Sequence, residues 1–254
     1  MNGMAVSSPS FSIIPVEKMA PAIFEHFHTW EIVAEHKHHL GIAGRFLKEY
    51  MASHDVAIQV HAPLSDINIA AFSDRVREAS VTEVLEAVKG AAGLGAKVVT
   101  FHPGHLSPAG QLDRDRVMRL NRESVLRIAR AGVEHGVPLA IENMPKMRVL
   151  AFQRPAELLE CIEGTEVGLC LDIGHAHTNG NLEDFFALAP LLRNIHIHDN
   201  TGGWDEHMVL GKGTASIERA VSALKPAYRH AWVIEAQNLA EGLQSKEILE
   251  RLLS

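Results

Sequence analysis

The sequence predicts an α/β chain of a single domain closed into a (β/α)8 TIM barrel, and three observations carry that expectation. Its 254 residues, 46% of them hydrophobic, match the usual length of one eightfold barrel and suffice for one sizeable core. Short apolar, β-branched runs alternate with longer segments of helical period, the pattern of repeated βα units on a parallel sheet. No Pro/Gly/Ser-rich linker divides them, and no GxGxxG or GxxxxGK[ST] follows any run to favour an open doubly wound sheet.

The runs, in order, are Phe11–Pro15, Trp30–Ala34, Ala57–His61, Val98–His102, Leu139–Glu142, Gly168–Asp172, Ile195–His198 and Trp232–Glu235. Residues 1–9 are expected to form a flexible start to a domain spanning 1–254. A helix is predicted over Asp74–Leu94, where Val76, Val81, Val84, Leu85 and Val88 recur at helical spacing before Gly93 and Gly95 end it.

The formal charge of −7, with both signs interspersed, gives no footprint of a general nucleic-acid or anionic-membrane binder. Bound metal cations would change the local sign of that field, so DNA stays admissible as a substrate. No apolar run approaches membrane-spanning length and no secretory start is visible, so the expected location is the cytoplasm, away from membranes. Nothing in the sequence implies a stable protein partner. Cys161 and Cys170 form neither a CxxC nor a disulfide framework, and buried inert thiols are expected. The 16 histidines are spread along the chain.

Polar residues close six of the runs: His61, His102, Glu142, Asp172, His196 or His198, and Glu235. In a parallel barrel the carboxyl ends of the strands share one mouth, so these side chains must converge there. Clustered acids and histidines in a low-dielectric mouth raise one another's energy, and a divalent cation resolves the conflict. The loops add His175, within LDIGHAH, and Asp205 and His207, within WDEHMVLGKG. The glycines of GKG mark either a close backbone approach or an ordinary turn. His196 and His198 differ by two and face the same side of their strand, which leaves the choice between them open. Glu31 and Glu35 are expected to be a solvent-facing pair around the second run. Trp204 offers a ring to stack on a base or sugar, or a cover for an apolar rim.

These residues, in this order, resemble the xylose isomerase-like barrel superfamily and, within it, the endonuclease IV branch of AP endonuclease family 2. The marks are FHPGH at 101–105, IEN at 141–143, CLDIGH at 170–175, H-x-H-D at 196–199, D-x-H and G-x-G at 205–213, and IEA at 234–236, covering about His61 to Glu235. The resemblance implies a metal centre of two or three zinc ions. His61, His102 and a bridging Glu142 would hold one ion, and Asp172, His196 and Glu235 would join Glu142 around another. His175, Asp205 and His207 would hold the third. The family pattern sets its ligand three residues before an Asp, which selects His196 over His198 and leaves His198 lining the pocket. Glu142, Asp172 and Glu235 are the expected catalytic residues, with His198, His105 and Trp204 as expected substrate contacts.

Two chemistries are compatible. Clustered metals serve phosphoester hydrolysis, with abasic DNA or a phosphate-bearing sugar as substrate. The subset Glu142, Asp172, His196 and Glu235 resembles the site of sugar isomerases and epimerases, which use one Mn2+ or Mg2+. The surplus ligands favour hydrolysis. Two loops depart from endonuclease IV: EIVAEHKHHL stands where relatives carry an Arg-bearing DNA-entering loop, and APLSDIN stands where they carry an aromatic wedge. A barrel that only stores metal or binds a small ligand is the third alternative.

Overall fold

The computed structural model describes residues 3–254, and in it eight parallel strands close into a barrel in sequential order. The strands are β1 (Met4–Ser7), β2 (Thr29–Val33), β3 (Ala57–His61), β4 (Val99–Phe101), β5 (Leu139–Glu142), β6 (Gly168–Asp172), β7 (Leu192–Ile197) and β8 (Trp232–Glu235). Each except the last is followed by a helix that returns the chain to the next strand: α1 (Val16–Phe24), α2 (Leu40–Ser53), α3 (Asp74–Leu94), α4 (Arg114–His135), α5 (Pro155–Ile162), α6 (Ile173–Asn179) and α7 (Ile217–Leu224). Helix α8 (Leu239–Leu253) then packs beside β1 and β8. The predicted (β/α)8 barrel is the observed architecture.

Closure depends on β1, whose Met4–Ser7 pair in register with Trp232–Glu235 while Ala5 and Val6 pair with Thr29 and Trp30. This corrects two expectations. The segment 1–9 is not a flexible start over its described part, since Met4–Ser7 is bonded on both sides; Met1 and Asn2 lie outside the described residues. The apolar run at Phe11–Pro15 is not the first strand either. Ser8 caps a 3-10 helix at Pro9–Ile13 by accepting from Ser10 N–H, and proline at its first position supplies a helical φ. Phe11 is buried while Ile13 and Ile14 are exposed, so the run's apolar composition does not reflect a two-sided buried strand.

Helix α3 occupies the predicted span and ends at Gly95 in the left-handed conformation. Outward-facing residues such as Trp30, Ile32, Ile58, Val60, Ile141 and Ile195 join the helices' apolar faces in one continuous core. Inward-facing residues alternate with them at period two, and this inner set is largely polar. Among the described residues, no helix is long and apolar enough to cross a membrane. Cys161 and Cys170 are buried free thiols; burial pushes Cys161 up to about 12 and Cys170 well above the ordinary thiol range, so both are inert.

Candidate metal centre

The alternation that aims Ile58 and Val60 outward aims Gln59 and His61 inward, and the same holds for Asn194 and His196 on β7. Gln59, Thr100, Asn194 and Glu31 meet across the barrel interior. The amide of Asn194 donates to Glu31 at 2.6 Å and to Thr100 Oγ1 at 2.8 Å, and Gln59 donates to Asn194 Oδ1 at 3.0 Å. This hydrogen-bonded polar layer forms the floor. Residues one pleat further along each strand stand above it, at the carboxyl mouth.

Glu142 is the centre of that upper tier. Its Oε2 faces His61 Nε2 at 3.1 Å and His102 Nε2 at 3.3 Å, while Oε1 faces His196 Nδ1 at 3.2 Å and His175 Nδ1 at 3.4 Å. The two oxygens of one carboxylate therefore serve two different histidine groups. His196 Nδ1 also lies 3.1 Å from Glu235 Oε1 and 4.0 Å from Asp172 Oδ2. Glu235 Oε2 continues to His207 Nδ1 at 3.5 Å. A second cluster adjoins the first: Asp205 lies 3.1 Å from His175 Nε2, 3.2 Å from His207 Nε2 and 3.3 Å from His198 Nε2. One ligand atom from each of His175, His198, Asp205 and His207 falls within 4.8 Å of the other three, and His61, His102 and Glu142 form another such group.

The fields are strong because the groups are buried. Burial alone would discharge His175 and His198, but Asp172 and Asp205 outweigh it, holding His175 well above its ordinary pKa and His198 at about 9. Burial would likewise raise Glu142 and Glu235, yet His196 and its neighbours hold Glu142 well below the carboxylate range and Glu235 at about 2. His102, by contrast, is depressed, burial there outweighing Glu142. Without a cation, the acids draw protons onto the histidines.

Whether the residues suit a metal is tested by what they leave unsatisfied. His198 Nε2, Asp172 Oδ2 and Asp205 Oδ1 are buried without hydrogen-bond partners, all on the mouth side. Buried orphans of this kind cost on the order of 1–3 kcal/mol each unless another group engages them. Nitrogen and carboxylate oxygen donors converging on one point form a set that suits zinc and similar divalent ions. The residues fit the group.

The model of the xylose isomerase-like TIM barrel family matches residues 26–253. The chain belongs to that family. An uncharacterised protein of Methanocaldococcus jannaschii is 34% identical over 241 residues, 91% of this chain and 82% of its own. A "probable endonuclease 4" of Mycobacterium tuberculosis is 30% identical over 182 residues, 67% of this chain and 69% of its own. Among solved structures, a "D-tagatose 3-epimerase-like protein" superimposes with a TM-score of 0.92 at 32% identity, covering 99% of this chain and 97% of that one. The xylose isomerase-like family thus presents relatives named for both chemistries.

Within this member of the family, the structure brings together His61, His102, Glu142, Asp172, His175, His196, Asp205, His207 and Glu235, and adds His198 to them. It does not bring in His105, which is exposed and held through its backbone, or Trp204, which is 59% exposed. His177 bonds Thr214 away from the clusters. The expected solvent-facing pair is corrected: Glu31 is fully buried with Oε1 2.8 Å from His196 Nε2, and Glu35 is buried, accepting from Leu64 N–H, Ser65 N–H and the Ser65 hydroxyl. Both carboxylates face partners contributed by other strands or loops, which local polarity could not reveal.

Two more supports were invisible as chemistry in the sequence. Asn143 holds the end of β6 by accepting from Asp172 N–H and donating to Asp172 carbonyl, while its own carbonyl lies 2.7 Å from His175 Nδ1. Asp199 accepts from the N–H groups of Asn200, Gly211, Gly213 and Ala215 at 2.9, 2.9, 3.0 and 2.9 Å, gripping the loop that carries Asp205 and His207. The GKG glycines are the close approach: a Cβ on Gly213 would stand 2.3 Å from Asn200 carbonyl oxygen.

Proposed function

We propose that this chain is a zinc-dependent hydrolase that cleaves a phosphoester with a multinuclear centre of two or three ions. The observation that carries this reading is the bridging disposition of Glu142, one oxygen toward His61 and His102 and the other toward His196 and His175. Proton transfer with a single metal needs only Glu142, Asp172, His196 and Glu235; the added His61, His102, His175, Asp205 and His207 support more than one ion. When bound, divalent ions polarise phosphate oxygens and make hydroxide available from water near neutral pH. Glu142, Asp172 and Glu235 supply the carboxylate oxygens that would hold them, and the buried floor lies beneath His196.

The substrate class is a phosphate-bearing sugar or an abasic site in DNA. The net charge of −7 and the loops EIVAEHKHHL and APLSDIN favour the smaller substrate over extended DNA. Protein purified without chelator should carry about three equivalents of zinc per chain, hydrolyse sugar phosphates, and be tested beside them on a duplex containing an abasic site.

A second reading, epimerisation or isomerisation of a sugar or its phosphate, is favoured by one specific arrangement. Glu142 and Glu235 both lie within 3.2 Å of the same His196 nitrogen, so two carboxylates face one central point as acid/base chemistry at a single metal requires. One equivalent of Mn or Mg with ketose interconversion and no phosphate release would overturn the hydrolase reading in its favour.

A further inference from the structure

His198 stands outside the ligand set that the family pattern implies, yet its surroundings are those of a ligand. We infer that His198 is the fourth protein ligand of the outer metal, closing a cage with His175, Asp205 and His207 that anchors the loop after β7 instead of contacting substrate. The inference rests on the metal-dependent reading above and specifies one of its ions.

The ring's tautomer is the first argument. His198 Nδ1 lies 3.3 Å from the Asp199 carbonyl, so that nitrogen donates, and Nε2 offers its lone pair once a metal ion displaces the proton there. The lone pair faces Asp172 Oδ1 and Asp205 Oδ1, each at 3.3 Å. A lone pair between two carboxylates is repulsive unless a cation or proton stands among them. His61 and His175 use the same device: Nδ1 lies 2.7 Å from the carbonyls of Ala62 and Asn143, and Nε2 is presented to a carboxylate. A ring nitrogen anchored on a backbone carbonyl with its partner nitrogen aimed at a cluster is how proteins orient metal-binding histidines.

The ring also stands where a ligand would. His175 Nε2 and His207 Nε2 lie 3.1 and 3.2 Å from Asp205 Oδ2, close to the ~3.4 Å edge expected of a tetrahedron around zinc, and His198 Nε2 lies 3.3 Å from the other oxygen, Oδ1, with one ligand atom of each of the four within 4.8 Å of the rest. His198 Nε2 and Asp205 Oδ1 are among the orphaned buried atoms, and the His198 side chain is fully buried, so solvent does not serve them. The ring is also wedged in place, against Gly174 on one side and stacked on His207 at 4.0 Å on another.

Four protein ligands characterise closed structural zinc sites, whereas catalytic sites keep a position open. With Asp199 gripping one end of the loop and a four-ligand ion the other, Asp205 and His207 become fixtures. Open coordination positions would then belong to the inner groups around Glu142.

A crystal structure of zinc-loaded wild-type protein, with anomalous scattering at the zinc edge, tests this directly. The expected result is an outer peak with His198 Nε2 at about 2.0–2.1 Å, alongside His175, Asp205 and His207. In solution, cobalt-substituted protein should show the intense visible bands of four-coordinate cobalt. The substitution His198→Asn should convert them to the weak bands of a higher-coordinate ion, with His177→Ala leaving them unchanged. An outer ion held by three residues and water, with His198 more than ~3 Å away, overturns the inference, as does a cobalt spectrum indifferent to His198→Asn. Zinc at the inner groups and none outside overturns it while leaving the metal-dependent reading intact; no zinc anywhere overturns both.

Discussion

The imidazole of His198 fills the space that a side chain on Gly174 would occupy, since a Cβ there would stand 2.0 Å from His198 Cε1 and 2.3 Å from Nε2. Gly174 belongs to the LDIGH segment that also supplies Asp172 and His175, so one glycine sets how two elements share the mouth. The clash is with a ring held on both faces. Gly174→Ala should therefore displace His198 and lower the outer metal's affinity roughly 10- to 100-fold, the range typical of disturbed ligand support. Competition titration with a zinc chelator reads this; an unchanged affinity with an intact circular dichroism spectrum would mean that the ring does not serve the metal.

Asp199 uses both carboxylate oxygens to organise four backbone donors of the loop between β7 and α7. Asn in its place offers one acceptor oxygen and an amide that opposes two N–H groups. Hydrogen bonds to charged acceptors contribute about 1.5–3 kcal/mol each without being additive, so Asp199→Asn should cost roughly 2–4 kcal/mol. The shift in denaturant midpoint at constant slope measures it, and a loss below about 0.5 kcal/mol would show that the loop is held by something else.

Glu31 Oε1 lies 2.8 Å from His196 Nε2 while Oε2 accepts from the Asn194 amide at 2.6 Å, entirely away from solvent. Its carboxylate charge beside Nε2 favours a proton on that side of the ring, which leaves Nδ1 facing Glu142, Glu235 and Asp172. Glu31→Gln preserves volume but removes the charge that favours that tautomer. Metal affinity of the inner groups should fall about 10- to 100-fold while the fold persists. Calorimetric zinc titration of the variant, giving wild-type affinity, would assign Glu31 to the floor's packing alone.

His38 supplies a pH prediction away from the metal centre. Burial depresses its pKa to about 4, and its ring stands edge-on to Trp30 with centroids 5.2 Å apart. In the unfolded chain the ring takes up a proton below about pH 6.5. The folded form resists protonation until about 4, so the unfolded state binds more protons between those values. This contribution to stability is complete above about pH 6.5 and is lost as the pH falls toward 4. Melting temperatures of metal-free protein should fall more steeply with acid in wild type than in His38→Gln; parallel curves would contradict the assignment.

Much of the barrel was legible because burial on a parallel sheet leaves a compositional trace. Ala57–His61, Leu139–Glu142, Gly168–Asp172 and Trp232–Glu235 coincide with strands, each largely apolar and closed by a polar last residue. Strand β1 was not legible: Met4–Ser7 is short and of weak β-propensity, and what makes it a strand is pairing with β8, more than two hundred residues away in the chain. The richer run at Phe11–Pro15 attracted the prediction, although Ser8 and Pro9 were already helix-start signals.

By itself the sequence determined that acids and histidines would end successive inner strands, because strand period and barrel polarity follow from local pattern. Only tertiary structure decided which of them meet. It joined both oxygens of Glu142 to separate histidine groups, buried Glu31 beneath His196, and seated His198 beside Asp205 in the space left by Gly174. The physical reason is that a carboxylate's partner is fixed by distances of about 3 Å across the barrel, and residues far apart in sequence carry no local record of that approach.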